Sequence, residues 1–108
     1  MDAQVKKGLI DVCVLAVLRK GDSYGWQVIK DIGEVMEVSE STLYPVLKRL
    51  ELGGLIRSYE QPYNGRLRKY FHLTPAGNVR LQLFEHEHEQ LALVHNFILS
   101  SIKEGGVK

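Results

Sequence analysis

From Val5 to Leu18 apolar side chains fill nearly every position: Val5, Leu9, Ile10, then Val12 through Leu18 without a break. This pattern predicts a helix that is apolar almost all round and must be covered from several sides, by its own domain and by something more. Cys13 within it reads as a small buried hydrophobe. Gly21-Asp22-Ser23 ends the run and offers Asp22 or Ser23 as cap of the next helix. Trp26, Ile29, Ile32 or Gly33, and Met36 follow at three- and four-residue steps, which predicts an amphipathic helix of about four turns with Trp26 as a packing residue. A third helix is expected from about Thr42 to Leu52, with Leu43, Val46, Leu47 and Leu50 on one face. Pro45 belongs in its first turn, where a missing N–H costs least, and this favours Ser41 over Ser39 as the cap. Gly53-Gly54 supplies its end.

Two short β-rich runs come next, Leu55–Gln61 and Leu67–Leu73, around Pro62-Tyr63-Asn64-Gly65-Arg66. Asn-Gly tolerates positive φ at both positions and marks a hairpin. In the second run Leu67, Lys69, Phe71 and Leu73 share one face and Arg68, Tyr70 and His72 the other, a two-stranded ribbon with a basic tip. Thr74-Pro75 opens a last helix, Thr as cap and Pro at the first helical position, which continues to about Lys103. Phe84, Leu91 and Ile98 recur every seventh residue along it, with Leu81, Val94 and Ile102 nearby. One long helix cannot bury such a stripe within its own small domain, and a second copy of the chain is the economical partner. The expected fold is mainly α with a small two-stranded β-wing: a winged helix-turn-helix over residues 1–73 and a dimerisation helix over 74–108.

The chain has 108 residues, 44% of them hydrophobic and 25% charged, which suits one globular domain and excludes a disordered or collagenous chain. A single cysteine excludes an internal disulfide. Lys6-Lys7 and the run behind it look superficially like a signal peptide. Asp11 interrupts the run, Arg19-Lys20 closes it, and it falls far short of a membrane span. A cytoplasmic protein without membrane attachment is expected. The net charge of +1 conceals an asymmetry. Residues 41–72 carry Lys48, Arg49, Arg57, Arg66, Arg68 and Lys69 against only Glu51 and Glu60. Excess positive charge confined to one segment can bind a polyanion whatever the overall balance.

Enzyme signatures fail on context. Gly21-Asp22-Ser23-Tyr24-Gly25 matches a nucleophile elbow in letters, yet a helix precedes it and no parallel sheet can be built to hold an acid and a histidine. The Glu85–Gln90 stretch lacks the second histidine of a zinc helix at the required spacing. His86 and His88 point to different sides; His88 and His95 share a face that reads as solvated, with a weak metal or pH-sensitive site across a dimer as the alternative. No cofactor or metal is expected. The third helix is more informative: in a winged helix-turn-helix it enters the major groove with its first turns toward base edges. Ser41, Thr42 and Tyr44 lie there, with Pro45 beside them and Lys48 a turn on, while Arg66, Arg68 and Lys69 occupy the wing. Hydroxyls suit base or phosphate contacts and the cations suit the backbone. The rival reading of these residues is a winged-helix module whose basic wing faces an acidic protein.

Tyr24-Gly25-Trp26-Gln27-Val28-Ile29-Lys30, Ser41-Thr42-Leu43-Tyr44-Pro45-Val46-Leu47-Lys48-Arg49-Leu50-Glu51, Gly53-Gly54-Leu55-Ile56, Arg68-Lys69-Tyr70-Phe71 and Leu73-Thr74-Pro75-Ala76-Gly77 stand in an order that resembles the PadR family of bacterial transcriptional regulators. The single C-terminal helix resembles the family's shorter subfamily. The resemblance implies a homodimeric repressor on a palindromic operator in double-stranded DNA. It also implies that Thr42, Tyr44, Pro45 and Lys48 sit at the groove, and Arg66, Arg68 and Lys69 on the wing. A small-molecule effector would act at the dimer interface. Two departures stand out. Ser41 replaces a common glycine, and the C-terminal helix lacks the tryptophans between which some short members hold flat drugs, so a multidrug-sensing role is not implied.

Overall fold

The computed structural model describes residues 3–105. The order is α1 (Ala3–Lys20), β1 (Ser23–Tyr24), α2 (Gly25–Ile32), α3 (Glu40–Leu52), β2 (Ile56–Tyr63), β3 (Arg66–Leu73) and α4 (Pro75–Lys103). α1 is the centre of the core. Its Ile10, Val14, Leu15 and Leu18 pack with Val28 and Ile32 of α2, four residues of α3, Ile56 of β2 and Phe71 of β3. The start of α4 packs along its far side, with Leu81 against the core and Val12, Ala16 and Phe84 lining a cleft between the two helices, so the all-round apolar pattern is answered from two directions. Cys13 is half-buried, and burial raises its thiol pKa.

The wing is larger by one strand than expected. β2 and β3 form the hairpin, with Ile56 opposite Leu73 and Tyr63 opposite Arg66, and Asn64 and Gly65 both at positive φ in the turn. β1 adds to the free edge of β3, pairing Ser23 with Phe71 and Tyr24 with Tyr70, which gives an antiparallel sheet in the order β1-β3-β2. Two residues are too few for a strand to declare itself by alternation. Ser23 is consequently buried in the sheet, and neither it nor Asp22 caps α2; Tyr24 takes that place without a side-chain bond. Asp22 instead closes the wing's base: its carboxylate accepts from Tyr59 Oη at 2.7 Å and pairs with His72 Nδ1 at 2.7 Å. The bond from Tyr59 and the neighbouring imidazole hold the Asp22 carboxyl below its ordinary range, and the same bond raises Tyr59.

Two helices differ from expectation. α2 has eight residues, about two turns rather than four, because the chain turns at Gly33 to Met36. Its buried side is Gly25, Val28 and Ile32; Trp26 lies off that row and is 55% exposed, not a packing residue. α3 begins earlier than expected. Ser39, not Ser41, is its cap, accepting from Thr42 N at 3.3 Å, and Pro45 is the sixth helical residue. The ring removes the donor for the Ser41 carbonyl, which is tolerable because that end faces solvent.

α4 begins where expected, with Thr74 accepting from Gly77 N and its own hydroxyl donating to the Gly54 carbonyl at 2.6 Å. Gly77 is the only buried residue of the helix. A Cβ there would stand 2.1 Å from the Leu55 carbonyl oxygen and 2.5 Å from Leu73 Cδ1, so the close approach requires glycine. From Glu85 to Glu104 every residue is exposed, and the molecule is 68 Å long by 26 and 22 Å. Among the described residues no helix is long and apolar enough to cross a membrane.

Gly77→Ala should therefore destabilise the fold by about 2 kcal/mol and lower Tm by roughly 10 °C, read by circular dichroism; an unchanged Tm would mean that α4 shifts freely at its root. Because the folded carboxyl of Asp22 is depressed, its contribution is complete above the ordinary carboxylate range and is lost as pH falls through the folded value. Asp22→Asn should cost about 1 kcal/mol near neutral pH, a figure kept small because the site is partly solvated, and progressively less as acid protonates the folded carboxyl. Thermal melts of both proteins across that range test this, and a difference that persists in acid would remove the carboxylate from the explanation.

Candidate nucleic-acid interface

α3 is two-faced. Leu43, Val46, Leu47 and Leu50 are buried against the core, and Ser41, Thr42, Tyr44, Pro45, Lys48 and Arg49 are exposed. The interleaving follows from helical spacing, since residues three and four apart share a face. Ion pairs seat the helix at its two edges. Arg49 reaches Asp11 of α1 at 2.5 Å, and Glu51 accepts from Ser58 Oγ of β2 while standing 3.7 Å from Lys69 of β3. Glu51 thereby joins the second half of α3 to both wing strands.

The exposed residues divide between two depressions. Tyr44 and Lys48 line a groove of about 650 Å³ between α3 and the wing, together with Trp26, Leu67, Arg68 and Lys69. Ser41, Thr42 and Pro45 line a second cleft of about 460 Å³ on the other flank, opposite Lys6 and Ile10 of α1. Arg66 stands apart from both, exposed at the hairpin turn. Tyr44 is set by Gly25: a Cβ there would lie 2.8 Å from Tyr44 Oη, so the phenol leans over the first turn of α2. The Ser41, Ser39 and Thr42 hydroxyls form one cluster, with Ser39 Oγ 3.0 Å from Ser41 Oγ and 3.1 Å from Thr42 Oγ1.

Arg68 is the least free of these cations. Its guanidinium carbon lies 3.6 Å from the ring centroids of both Tyr24 and Tyr63, and Nε and Nη2 donate to Tyr70 Oη at 3.0 and 2.6 Å. Sequence reading missed Lys6, Trp26, Leu52 and Leu67 as members of this face. Leu52 continues the Tyr44–Lys48 row by one more turn and was legible on that account; Lys6 and Trp26 arrive only through packing.

The stripe on α4 is open. Leu91, Val94, Ile98 and Ile102 are exposed, whereas Phe84 is half-buried, shares a pocket with α1 and stacks on His88 at 3.9 Å. Phe97, also exposed, flanks the stripe three residues on from Val94, and exposed Leu93 lies on the far side of the helix by its spacing. His88 Nδ1 is 3.0 Å from the Phe84 carbonyl oxygen, and among the described residues no group of three metal-ligating side chains assembles.

Comparison with known proteins places this arrangement. Residues 14–83 match the family described as "Transcriptional regulator PadR-like family". The chain is 44% identical over 55 residues to transcriptional regulator Rv3488 of Mycobacterium tuberculosis, a stretch that covers 51% of this chain and 51% of that protein. A PadR family transcription regulator from Clostridium difficile superposes with a TM-score of 0.77 at 35% identity, covering 83% of this chain and 97% of that one. Bacillus subtilis PadR in complex with operator DNA superposes with a TM-score of 0.65 at 25% identity, over 70% of this chain and 46% of that one. The family match spans the end of α1, all of α2 and α3, the whole wing and the root of α4, and on that ground the chain belongs to the PadR-like family of transcriptional regulators.

Proposed function

We propose that this regulator binds double-stranded DNA as a homodimer, with α3 in the major groove and the wing on the neighbouring backbone, and represses transcription from a palindromic operator. The observation that carries the reading is the exposed row on α3: hydroxyls, a phenol and Lys48 face solvent from a helix whose other side is wholly engaged in the core. Ser41, Thr42, Tyr44 and Pro45 are the base-reading end; Lys48, Arg66 and Lys69 meet phosphates, with Arg68 set among tyrosines behind them. The operator complex of Bacillus subtilis PadR supports the reading through the shared fold. A regulator of this kind works where the chromosome is, in the cytoplasm.

Cations that displace counterions supply most of the affinity, so binding falls steeply with salt. Discrimination comes from base edges, about 1–3 kcal/mol for each good contact. Two reading helices must stand about 34 Å apart to meet successive turns of one DNA face. The α4 stripe supports the second copy, because Leu91, Val94, Ile98 and Ile102 have no cover within one chain. A change in angle between paired α4 helices would alter that spacing, which makes the dimer centre the place for a small-molecule effector to act.

Selection of fragments from random duplexes by the purified protein should yield an inverted repeat, and anisotropy against salt should show a slope of about 0.9 per phosphate neutralised. No enrichment, with binding to acidic proteins instead, would favour the rival reading. Thr42→Ala with Tyr44→Phe should change which bases are preferred; if preference and affinity both survive, the reading face lies elsewhere. Leu91→Glu or Ile98→Glu should sediment as monomer and lose operator binding, and a persistent dimer would place the interface off this stripe.

A further inference from the structure

We infer that Arg68 is a positioning residue, the strut that fixes the wing tip and with it the place of Arg66 before any DNA arrives. The inference rests on the DNA-binding reading above for its consequence, not for its geometry. On β3, Arg66, Arg68, Tyr70 and His72 share the face turned away from the core. The register puts Tyr63 and Tyr24 on that same face as diagonal neighbours of Arg68, one across β2 and the other across β1. The guanidinium lies between them, 3.6 Å from each ring centroid, and donates twice to Tyr70.

This arrangement is continuous from tip to base. Tyr63 immediately precedes the Asn64-Gly65 turn and stands opposite Arg66. Tyr70 stacks on Tyr59 at 5.6 Å and meets Tyr24 edge-on at 5.7 Å, and Tyr59 donates to Asp22 at the wing's base. Beyond this chain the tip has little to hold it. Gln61 through Leu67 are all exposed, and an isolated two-stranded ribbon is marginal in water. No carboxylate pairs with Arg68 among the described residues, so its charge is met by aromatic faces and a phenol oxygen. Only a planar guanidinium can be stacked on two sides and still donate twice in its plane; an ammonium cannot.

The strut and a direct phosphate contact predict opposite results for variants that keep the charge. Arg68→Lys leaves a cation able to meet phosphate but unable to bridge the rings. Tyr63→Leu leaves Arg68 intact and frees it. If Arg68 is the strut, both lose about tenfold in affinity for the selected duplex. Their salt slopes should fall by about 0.9, as in Arg66→Ala, and Arg68→Lys combined with Arg66→Ala should bind no worse than Arg66→Ala alone. In the free proteins, amide exchange at Asn64–Leu67 should quicken about tenfold while α1 and α3 keep their protection. Near-wild-type binding by Arg68→Lys and Tyr63→Leu, or losses that multiply with Arg66→Ala, would overturn the inference, as would unchanged exchange at the tip. The exchange measurement needs no DNA, so failure of the wild-type protein to bind duplexes would count against the proposed function and leave the strut to be decided by exchange.

Discussion

The structure depends on how α3 is seated on α1. Thirteen residues carry two interleaved sets of side chains, and the burial of Leu43, Val46, Leu47 and Leu50 obliges Ser41, Thr42, Tyr44, Pro45 and Lys48 to face water. Rotation of the helix by half a turn would expose four aliphatic side chains, each worth about 1.5–3 kcal/mol of burial, and bury a lysine. The seating is reinforced where charge meets charge at its edges, through Asp11 on one side and Glu51 on the other. The presented surface is thus a consequence of the concealed one.

The wing has a different problem. Its base belongs to the core through Ile56 and Phe71, but beyond Tyr59 and Tyr70 the hairpin leaves the domain and has no apolar layer to lie on. What replaces a core there is a set of aromatic rings on the outer face, bonded in series to Asp22 at one end and to a guanidinium at the other. The inner face is tethered separately by Glu51. A basic finger can therefore hold one direction relative to α3 without an internal hydrophobic centre, and holding it so spares the ordering cost when a partner binds.

α4 is anchored at its root and unsupported along its length. Thr74 and Gly77 bring its first turn against the α3–β2 corner, Leu81 and Phe84 cover α1, and everything later stands clear of the domain. A helix exposing Leu91, Val94, Phe97, Ile98 and Ile102 exceeds what a small monomer ordinarily leaves open. Under the proposed function this surplus is the measure of what a second chain must cover. Its breadth, with Phe97 flanking the main stripe and Leu93 beyond it, suits burial among several helices better than in a simple pair.

The sequence alone determined the elements whose signals are local. The Asn64-Gly65 turn, the Thr74-Pro75 start and the buried row of α3 follow from backbone sterics, capping chemistry and helical period, and each stands where the residues placed it. The concentration of cations in the middle third, and with it the candidate face, was legible for the same reason. Features that depend on distant partners were not. β1 exists because β3 offers a free edge, and its claim on Ser23 removes a cap that looked sound in isolation. α3 is capped by Ser39 and starts at Glu40 because the fold tolerates a proline one turn deeper than local energetics prefers. Trp26 is exposed because Val28 and Ile32 secure the core side of α2, and Arg68 is caged because strand register brings tyrosines from two other strands around it. A one-dimensional pattern specifies what each segment can be; which of its faces is used depends on the contacts that only the folded chain supplies.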